Sequence, residues 1–202
     1  MVEIEYKKAR IRLGNTDLVY EPAEDSFLLA DAALGEAKPG MQILEIGTGS
    51  GFVSAVLLAN FKGIRLVATE INPHAAICAK MNGVEVIRTD LFKGLRPRRP
   101  ETCFDLILFN PPYLPTSKEE KVPGWLNYAF DGGISGRETL DRFLDEVRDY
   151  LKPGGEILVL ISSITGLDAV KAKMKELGFA VEVVARKKVS FEELIVVRGK
   201  LL

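Results

Sequence analysis

Histidine, cysteine and glutamine are scarce in this chain, and no uninterrupted apolar run is long. His74 is the only histidine, and Cys78 and Cys103 are the only cysteines in 202 residues. One imidazole and two separated thiols do not supply the ligand set of a zinc site, nor a disulfide framework. No metal is expected. No apolar run approaches the roughly 20 residues a membrane-spanning helix needs. The opening Glu3, Glu5, Lys7 and Lys8 are unlike a signal peptide. No membrane is expected, and the expected setting is cytoplasmic. A surplus of one charge is also missing, with 27 Lys and Arg against 28 Asp and Glu and a formal net charge of -1. Proteins that grip nucleic acid regardless of sequence usually carry a basic surplus. The basic spots at Lys7, Lys8 and Arg10, at Arg96, Arg98 and Arg99, and at Arg186, Lys187 and Lys188 read as solvated surface. Gln42 is the only glutamine while Lys, Arg and Glu abound, a bias that suits a thermophile.

What is present is an alternation of strand-like and helix-like segments. The strand candidates are 43–46, 65–70, 84–87, 104–109 and 157–161, with two later ones at about 180–185 and 194–197. Between them lie helical stretches at 52–60, 73–81, 137–151 and 167–177, the third closed by Pro153-Gly154-Gly155. Continuous apolar strands alternating with helices predict an α/β fold of the Rossmann-like type. Its sheet of seven mostly parallel strands carries helices on both faces, with an antiparallel C-terminal hairpin at one edge. Residues 1–202 read as one domain, with 1–40 an N-terminal extension and capping helix and 41–202 the core. Pro22, Glu24 and Asp25 make a good start for that helix. The irregular stretch from Leu114 to Gly136, with Pro115, Pro123, Gly132 and Gly133, has the length of a lid or substrate loop.

Open sheets of this kind bind ligands beyond the carboxyl ends of their strands, and the chemically distinctive residues fall there. Glu45-Ile46-Gly47-Thr48-Gly49-Ser50-Gly51 joins a strand to a helix. Its glycines allow a sharp turn and bring backbone N–H groups to a ligand at the positive end of the helix. Dinucleotide enzymes use a related loop, but with G-x-G-x-x-G spacing. Here the spacing is G-x-G-x-G, and Glu45 would repel a pyrophosphate. A carboxylate there suits a ligand with an ammonium and a sulfonium, such as S-adenosyl-L-methionine. Glu70, one strand later, can take both ribose hydroxyls. Asp90, at the next strand end, can accept from an adenine amino group.

Asn110-Pro111-Pro112-Tyr113 ends the fourth strand. An amide or adenine amino nitrogen is a poor nucleophile because its lone pair is delocalised. Two acceptors on its N–H bonds favour the pyramidal geometry that develops during attack. The Asn110 side-chain oxygen and the Pro111 carbonyl are the candidates. Consecutive prolines stiffen the loop and remove donors, and Tyr113 can lie against the planar group. The site then has only to hold two reactants in line.

Together these motifs resemble the HemK-type amino-methyltransferases. The closer resemblance is to their short branch, which modifies the glutamine of the Gly-Gly-Gln motif in class 1 translation termination (release) factors of archaea and eukaryotes. It is carried by Tyr20-Glu21-Pro22-Ala23-Glu24-Asp25-Ser26-Phe27, by Leu44 to Gly51, by Thr69-Glu70-Ile71-Asn72-Pro73 and by Asn110 to Tyr113. Asp131-Gly132-Gly133 with Gly136-Arg137-Glu138 adds to it. The resemblance implies an N-methyltransferase that converts S-adenosyl-L-methionine to S-adenosyl-L-homocysteine. Its cofactor contacts would come from Ser26, Glu45, Gly47, Gly49, Gly51, Glu70, Ile71, Asp90, Leu91 and Asn110. Asn110, Pro112 and Tyr113 would meet the substrate, with Asn110, Pro111 and Tyr113 at the reacting atoms. It also implies a small zinc-binding activator subunit of the Trm112 type along a sheet edge. Family members often have Asp where Glu70 stands and Thr where Ser26 stands; both exchanges keep the chemistry.

Two other acceptors fit the same residues: adenine in nucleic acid, against which the neutral charge stands, and lysine, whose amine does not need paired acceptors. A non-catalytic or dinucleotide-binding Rossmann protein is the alternative from another class. Glu45 and the glycine spacing speak against the dinucleotide, and the intact Asn110 to Tyr113 motif against a dead scaffold.

Overall fold

A computed structural model of the chain describes residues 2–96, 103–117 and 124–202. Arg98, Arg99 and Pro123 lie outside the described residues. Strands β1 (Glu3–Tyr6) and β2 (Ala9–Arg12) form an antiparallel hairpin at the N-terminus. The main sheet contains β3 (Gln42–Ile46), β4 (Arg65–Glu70), β5 (Val86–Arg88), β6 (Phe104–Phe109), β7 (Leu151–Ser162), β8 (Phe179–Lys188) and β9 (Glu193–Leu201). The order across it is β5-β4-β3-β6-β7-β9-β8. The first five of these strands are parallel, and β9 runs antiparallel to both its neighbours. The C-terminal hairpin is therefore at the sheet edge as expected, with its second strand inserted between β7 and β8.

Side chains alternate across the sheet as the two-residue period of a strand requires. Leu106 and Leu108 of β6, Leu158 and Leu160 of β7, and Leu194 and Val196 of β9 face one core. That core is closed by α1 (Glu24–Glu36), α2 (Phe52–Asn60), α3 (Pro73–Met81) and the N-terminal hairpin. Ile107, Phe109, Ile157, Val159, Ile161, Ile195 and Val197 face the other, under α4 (Glu138–Val147) and α5 (Leu167–Glu176). Both faces are covered, which is why these strands read as unbroken apolar runs.

The expected elements at 52–60, 65–70, 73–81 and 104–109 are found with those bounds. Asn72 caps α3 by accepting from the His74 N–H at 2.9 Å, with Pro73 at the first helical position. Three differences have local causes. The strand expected from Val84 begins at Val86, because the Val84 N–H is spent on the Ala79 carbonyl at the end of α3. The helix expected over 137–151 is α4 followed by one 3-10 turn over Arg148–Tyr150. Leu151 already pairs with Phe104, so Pro153-Gly154-Gly155 lies inside β7, at a register shift rather than at a helix stop. The N-terminal hairpin has no counterpart among the expected strands. Its two-residue turn places Lys7 at φ 45° and Lys8 at φ 71°, a conformation usually announced by Asn-Gly. Ile11 on its second strand and Leu13 just after it are buried, and the Tyr6 ring packs tilted against Phe27 of α1 at 4.9 Å between ring centres.

Candidate active site

The carboxyl ends of β3, β4 and β6 open into one cavity of about 800 Å³, within the usual range for a small-molecule site. Ser26, Glu45, Gly47, Gly49, Glu70, Ile71, Asp90, Leu91, Asn110 and Pro112 line it together. Gly51, Pro111 and Tyr113 do not form part of its wall. Gly51 instead lets α2 pack: at φ 82° it is left-handed, and a Cβ there would sit 2.9 Å from Ala79 Cα. Pro111 is buried, and Tyr113 is half-buried against the α1 side of the core.

Glu45 is 3% exposed. Its Oε2 accepts from Thr48 Oγ1 at 2.7 Å, from the Ser54 backbone N–H at 3.1 Å and from Ser54 Oγ. Gly51 offers α2 no side-chain cap, so Glu45 takes over an N-terminal N–H of that helix. Oε1 takes part in none of these bonds. Burial pushes the carboxyl up to about 7, against the three hydrogen bonds and with help from the charge of Glu70. Glu70 is raised as well, chiefly by burial, while backbone N–H groups of Asn72, Gly49 and Ile71 counter the shift. Gly49 N–H reaches one Glu70 oxygen and Asn72 N–H the other, each at 2.8 Å. Burial also acts on Asp90, but Lys93 and Arg142 together hold it below the usual carboxylate range. Both cations sit on Oδ2, Lys93 at 2.8 Å and Arg142 at 2.7 Å. Leu91 beside it is buried at φ 48°, an uncommon conformation for a branched residue and one typical of ligand clamps.

Asn110 is turned by a residue that the sequence placed only as a helix-start acid. Asp25 is 4% exposed and accepts from Asn110 Nδ2 at 2.9 Å. It also accepts from Tyr20 Oη at 3.1 Å, from Ser26 N–H at 2.6 Å and from Ser26 Oγ at 3.2 Å. With its N–H₂ group turned to Asp25, Asn110 keeps its carbonyl oxygen uncommitted: among the described residues Oδ1 is buried and has no hydrogen-bond partner. Thr69 Oγ1, on another wall residue of the same cavity, is also buried without a partner. Buried polar atoms without a partner are rare in native proteins, and two on the residues of one cavity are consistent with groups that a ligand or water satisfies there. Burial and the charge of Asp25 push the Tyr20 and Tyr113 hydroxyls well above the usual range, so both stay protonated.

The facing wall comes from the long loop and α4. Trp125 and Tyr128, on a 3-10 turn over Trp125–Ala129, line the cavity with Glu138 and Arg142. The Arg88 guanidinium lies 6.0 Å from the Trp125 ring centre. This wall is tied to the Asn110 segment: Leu114 N–H donates to the Phe130 carbonyl at 3.0 Å and Gly132 N–H to the Leu114 carbonyl at 2.9 Å. Gly136 approaches so closely that a Cβ there would be 2.7 Å from the Tyr113 carbonyl oxygen. The Asp131-Gly132-Gly133 and Gly136-Arg137-Glu138 segments thus brace the loop that follows Asn110. The wall aromatics carried no sequence signal beyond lying in a long loop.

Residues 26–124 match the family described as Methyltransferase small domain. A Methanocaldococcus jannaschii protein, named provisionally as a protein N5-glutamine methyltransferase, is 46% identical over 187 residues, 90% of this chain and 91% of that protein. Human methyltransferase HEMK2 is 46% identical over 147 residues, 68% of each chain. Among solved structures, the E. cuniculi Mtq2–Trm112 complex, described as responsible for methylating the eRF1 translation termination factor, matches with a TM-score of 0.71 at 27% identity. The match covers 91% of this chain and 99% of that one.

Proposed function

The chain belongs to the HemK-type family of protein-glutamine methyltransferases, and we propose that it methylates the side-chain amide nitrogen of the glutamine in the Gly-Gly-Gln motif of a class 1 translation termination factor, with residues 1–202 acting as one catalytic domain. The observation that carries this is Asn110 Oδ1, buried and without a hydrogen-bond partner among the described residues, on a residue that lines the cavity. An acceptor held in place before the substrate arrives can take one N–H of a planar amide and favour pyramidal nitrogen. The Pro111 carbonyl, expected from the sequence as the second acceptor, belongs to a buried residue that does not line the cavity.

The cavity suits S-adenosyl-L-methionine, which supplies a methyl group on a positively charged sulfur. Glu45, Glu70 and Asp90 give the walls an acidic character that favours a cationic ligand. Glu45 Oε1 would meet the ammonium, Glu70 the ribose hydroxyls, and Asp90 with Leu91 the adenine. The chain's part in transfer is alignment: Asn110 grips the nitrogen, the Trp125–Tyr128 wall limits water, and no side chain need act as a strong base. The nitrogen's proton can leave to solvent after the N–C bond has formed and the C–S bond has broken.

Two further parts belong to this reading. Among the described residues β5 pairs with β4 alone, leaving an open edge, and Ile87 on it and Ile77 and Met81 on the adjacent α3 are exposed. An apolar patch beside a free strand edge suits a small activator subunit of the Trm112 type. Among the described residues no helix is long and apolar enough to cross a membrane. A substrate that works at ribosomes would be met in the cytoplasm.

The test is incubation with labelled cofactor and, separately, a Gly-Gly-Gln termination factor and DNA, with and without the activator subunit. Label is expected in the termination factor. Asn110→Ala should abolish transfer while calorimetry still detects cofactor binding. Label in DNA alone would favour the adenine reading, and undiminished turnover in the variant would remove the acceptor role.

A further inference from the structure

We propose that Asp25 is a positioning residue for transfer: it sets which end of the Asn110 amide faces the cavity and so keeps the site an acceptor of N–H groups. The two ends of an asparagine amide have nearly the same shape but opposite hydrogen-bonding character. A flip would turn the Asn110 N–H₂ group toward the substrate amide. Two sets of donors would then face each other, and the nitrogen could not be held.

Nothing in the Asn110 backbone decides between the two orientations. Asp25 does, because a carboxylate can only accept, and its Oδ2 lies 2.9 Å from Asn110 Nδ2. Asp25 is itself held on its other oxygen. Oδ1 takes the Ser26 N–H at 2.6 Å, Ser26 Oγ at 3.2 Å and Tyr20 Oη at 3.1 Å. Tyr20 in turn rests edge-on against Phe130, 5.4 Å between ring centres, so this support reaches the loop that forms the opposite wall. Were Asp25 only a first-turn acid of α1, it could face solvent. Instead it is 4% exposed, and one of its oxygens is committed to a residue 85 positions away in sequence.

The proposal rests on the N-methyl-transfer reading, and its test has one arm that does not. Asp25→Asn keeps size and removes charge. Its single carbonyl oxygen cannot serve both Asn110 and the three donors on the Oδ1 side. If that oxygen stays with Ser26 and Tyr20, its N–H₂ group meets Asn110, which must flip. We expect kcat to fall about 10²- to 10³-fold, with cofactor affinity changed less than about threefold. Asn110→Asp alone sets two carboxylates against each other. The double variant D25N/N110D restores complementarity with the one hydrogen bond reversed and leaves an acceptor oxygen in the cavity. It should recover about tenfold or more over either single variant. A role for Asp25 in α1 alone, independent of Asn110, predicts no such rescue, since the second change would only add damage.

The arm independent of substrate is NMR on the whole protein. The Asn110 side-chain N–H₂ protons should exchange slowly with water in the wild type and fast in Asp25→Asn. Fast exchange in the wild type, full turnover in Asp25→Asn, or a double variant no better than the singles would each overturn the proposal. A wild type that labels no termination factor, yet shows the slow protons and their release in the variant, would leave Asp25 in its role and remove the substrate reading.

Discussion

The buried carboxylate of Glu45 should make the empty protein less stable than it could be, by an amount that depends on pH. Folding raises its pKa from 4.5 to about 7. The native state therefore binds this proton more tightly than the unfolded chain, and ionising it disfavours folding. At 1.36 kcal/mol per pKa unit, the cost is about 3 kcal/mol once the group is charged in both states. The sign fixes the window. The cost is absent below pH 4.5, grows as pH rises toward 7, and is fully present above it. Glu45→Gln keeps the shape, and its carbonyl oxygen can still accept from Thr48 and Ser54, but it carries no charge. At pH 8.5, without cofactor, the variant should be about 3 kcal/mol more stable than the wild type, or about 6–12 °C higher in Tm for a chain of this size. At pH 5 the gain should shrink below about 1 kcal/mol. Urea denaturation at the two pH values measures both differences, and contributions common to the two proteins cancel. The variant should also lose most of its affinity for the cationic cofactor, the stability–function trade expected of a strained site. A stability difference that did not change with pH, or a variant weaker than the wild type at pH 8.5, would refute the reasoning.

Gly51→Ala should cost about 2–5 kcal/mol, the sum of a left-handed backbone at φ 82° and a Cβ pressed against Ala79 backbone. Gly49→Ala, left-handed at φ 58° but facing open space, should cost only about 1–2 kcal/mol; equal losses in denaturant titrations would contradict the packing account of the glycine loop. Glu70→Ala should weaken cofactor binding about 10- to 100-fold, the worth of one or two hydrogen bonds to a charged group, and unchanged affinity by calorimetry would discredit the ribose assignment.

The sheet was legible because each interior strand is apolar on both faces, so runs such as 104–109 stand out without any periodicity to decode. The acids and glycines at strand ends were legible because topology gathers them whatever the loops do. Less accessible was anything that depends on a partner distant in sequence. Asp25 looks like an ordinary helix-start acid until β6 brings Asn110 to it. The Lys7-Lys8 turn lacks turn chemistry because buried Ile11 and Leu13 and the Tyr6–Phe27 contact stabilise the hairpin from outside. Trp125 and Tyr128 gave no pattern, since a short 3-10 turn presents too few residues for a period to show. The stop expected at Pro153-Gly154-Gly155 failed for the opposite reason: a strong local signal was absorbed as a register shift in a strand that pairs with β6 on either side of it.

The insertion of β9 between β7 and β8 has a consequence for biogenesis. During synthesis β8 emerges first but has no edge of its own to join, because the slot beside β7 belongs to a segment not yet made. Until Glu193–Leu201 leaves the ribosome, β7 presents a bare row of backbone groups and the apolar residues that should meet Ile195, Val196 and Val197 stay wet. The nascent chain is thus most exposed to misassembly in the interval between the emergence of β8 and that of β9.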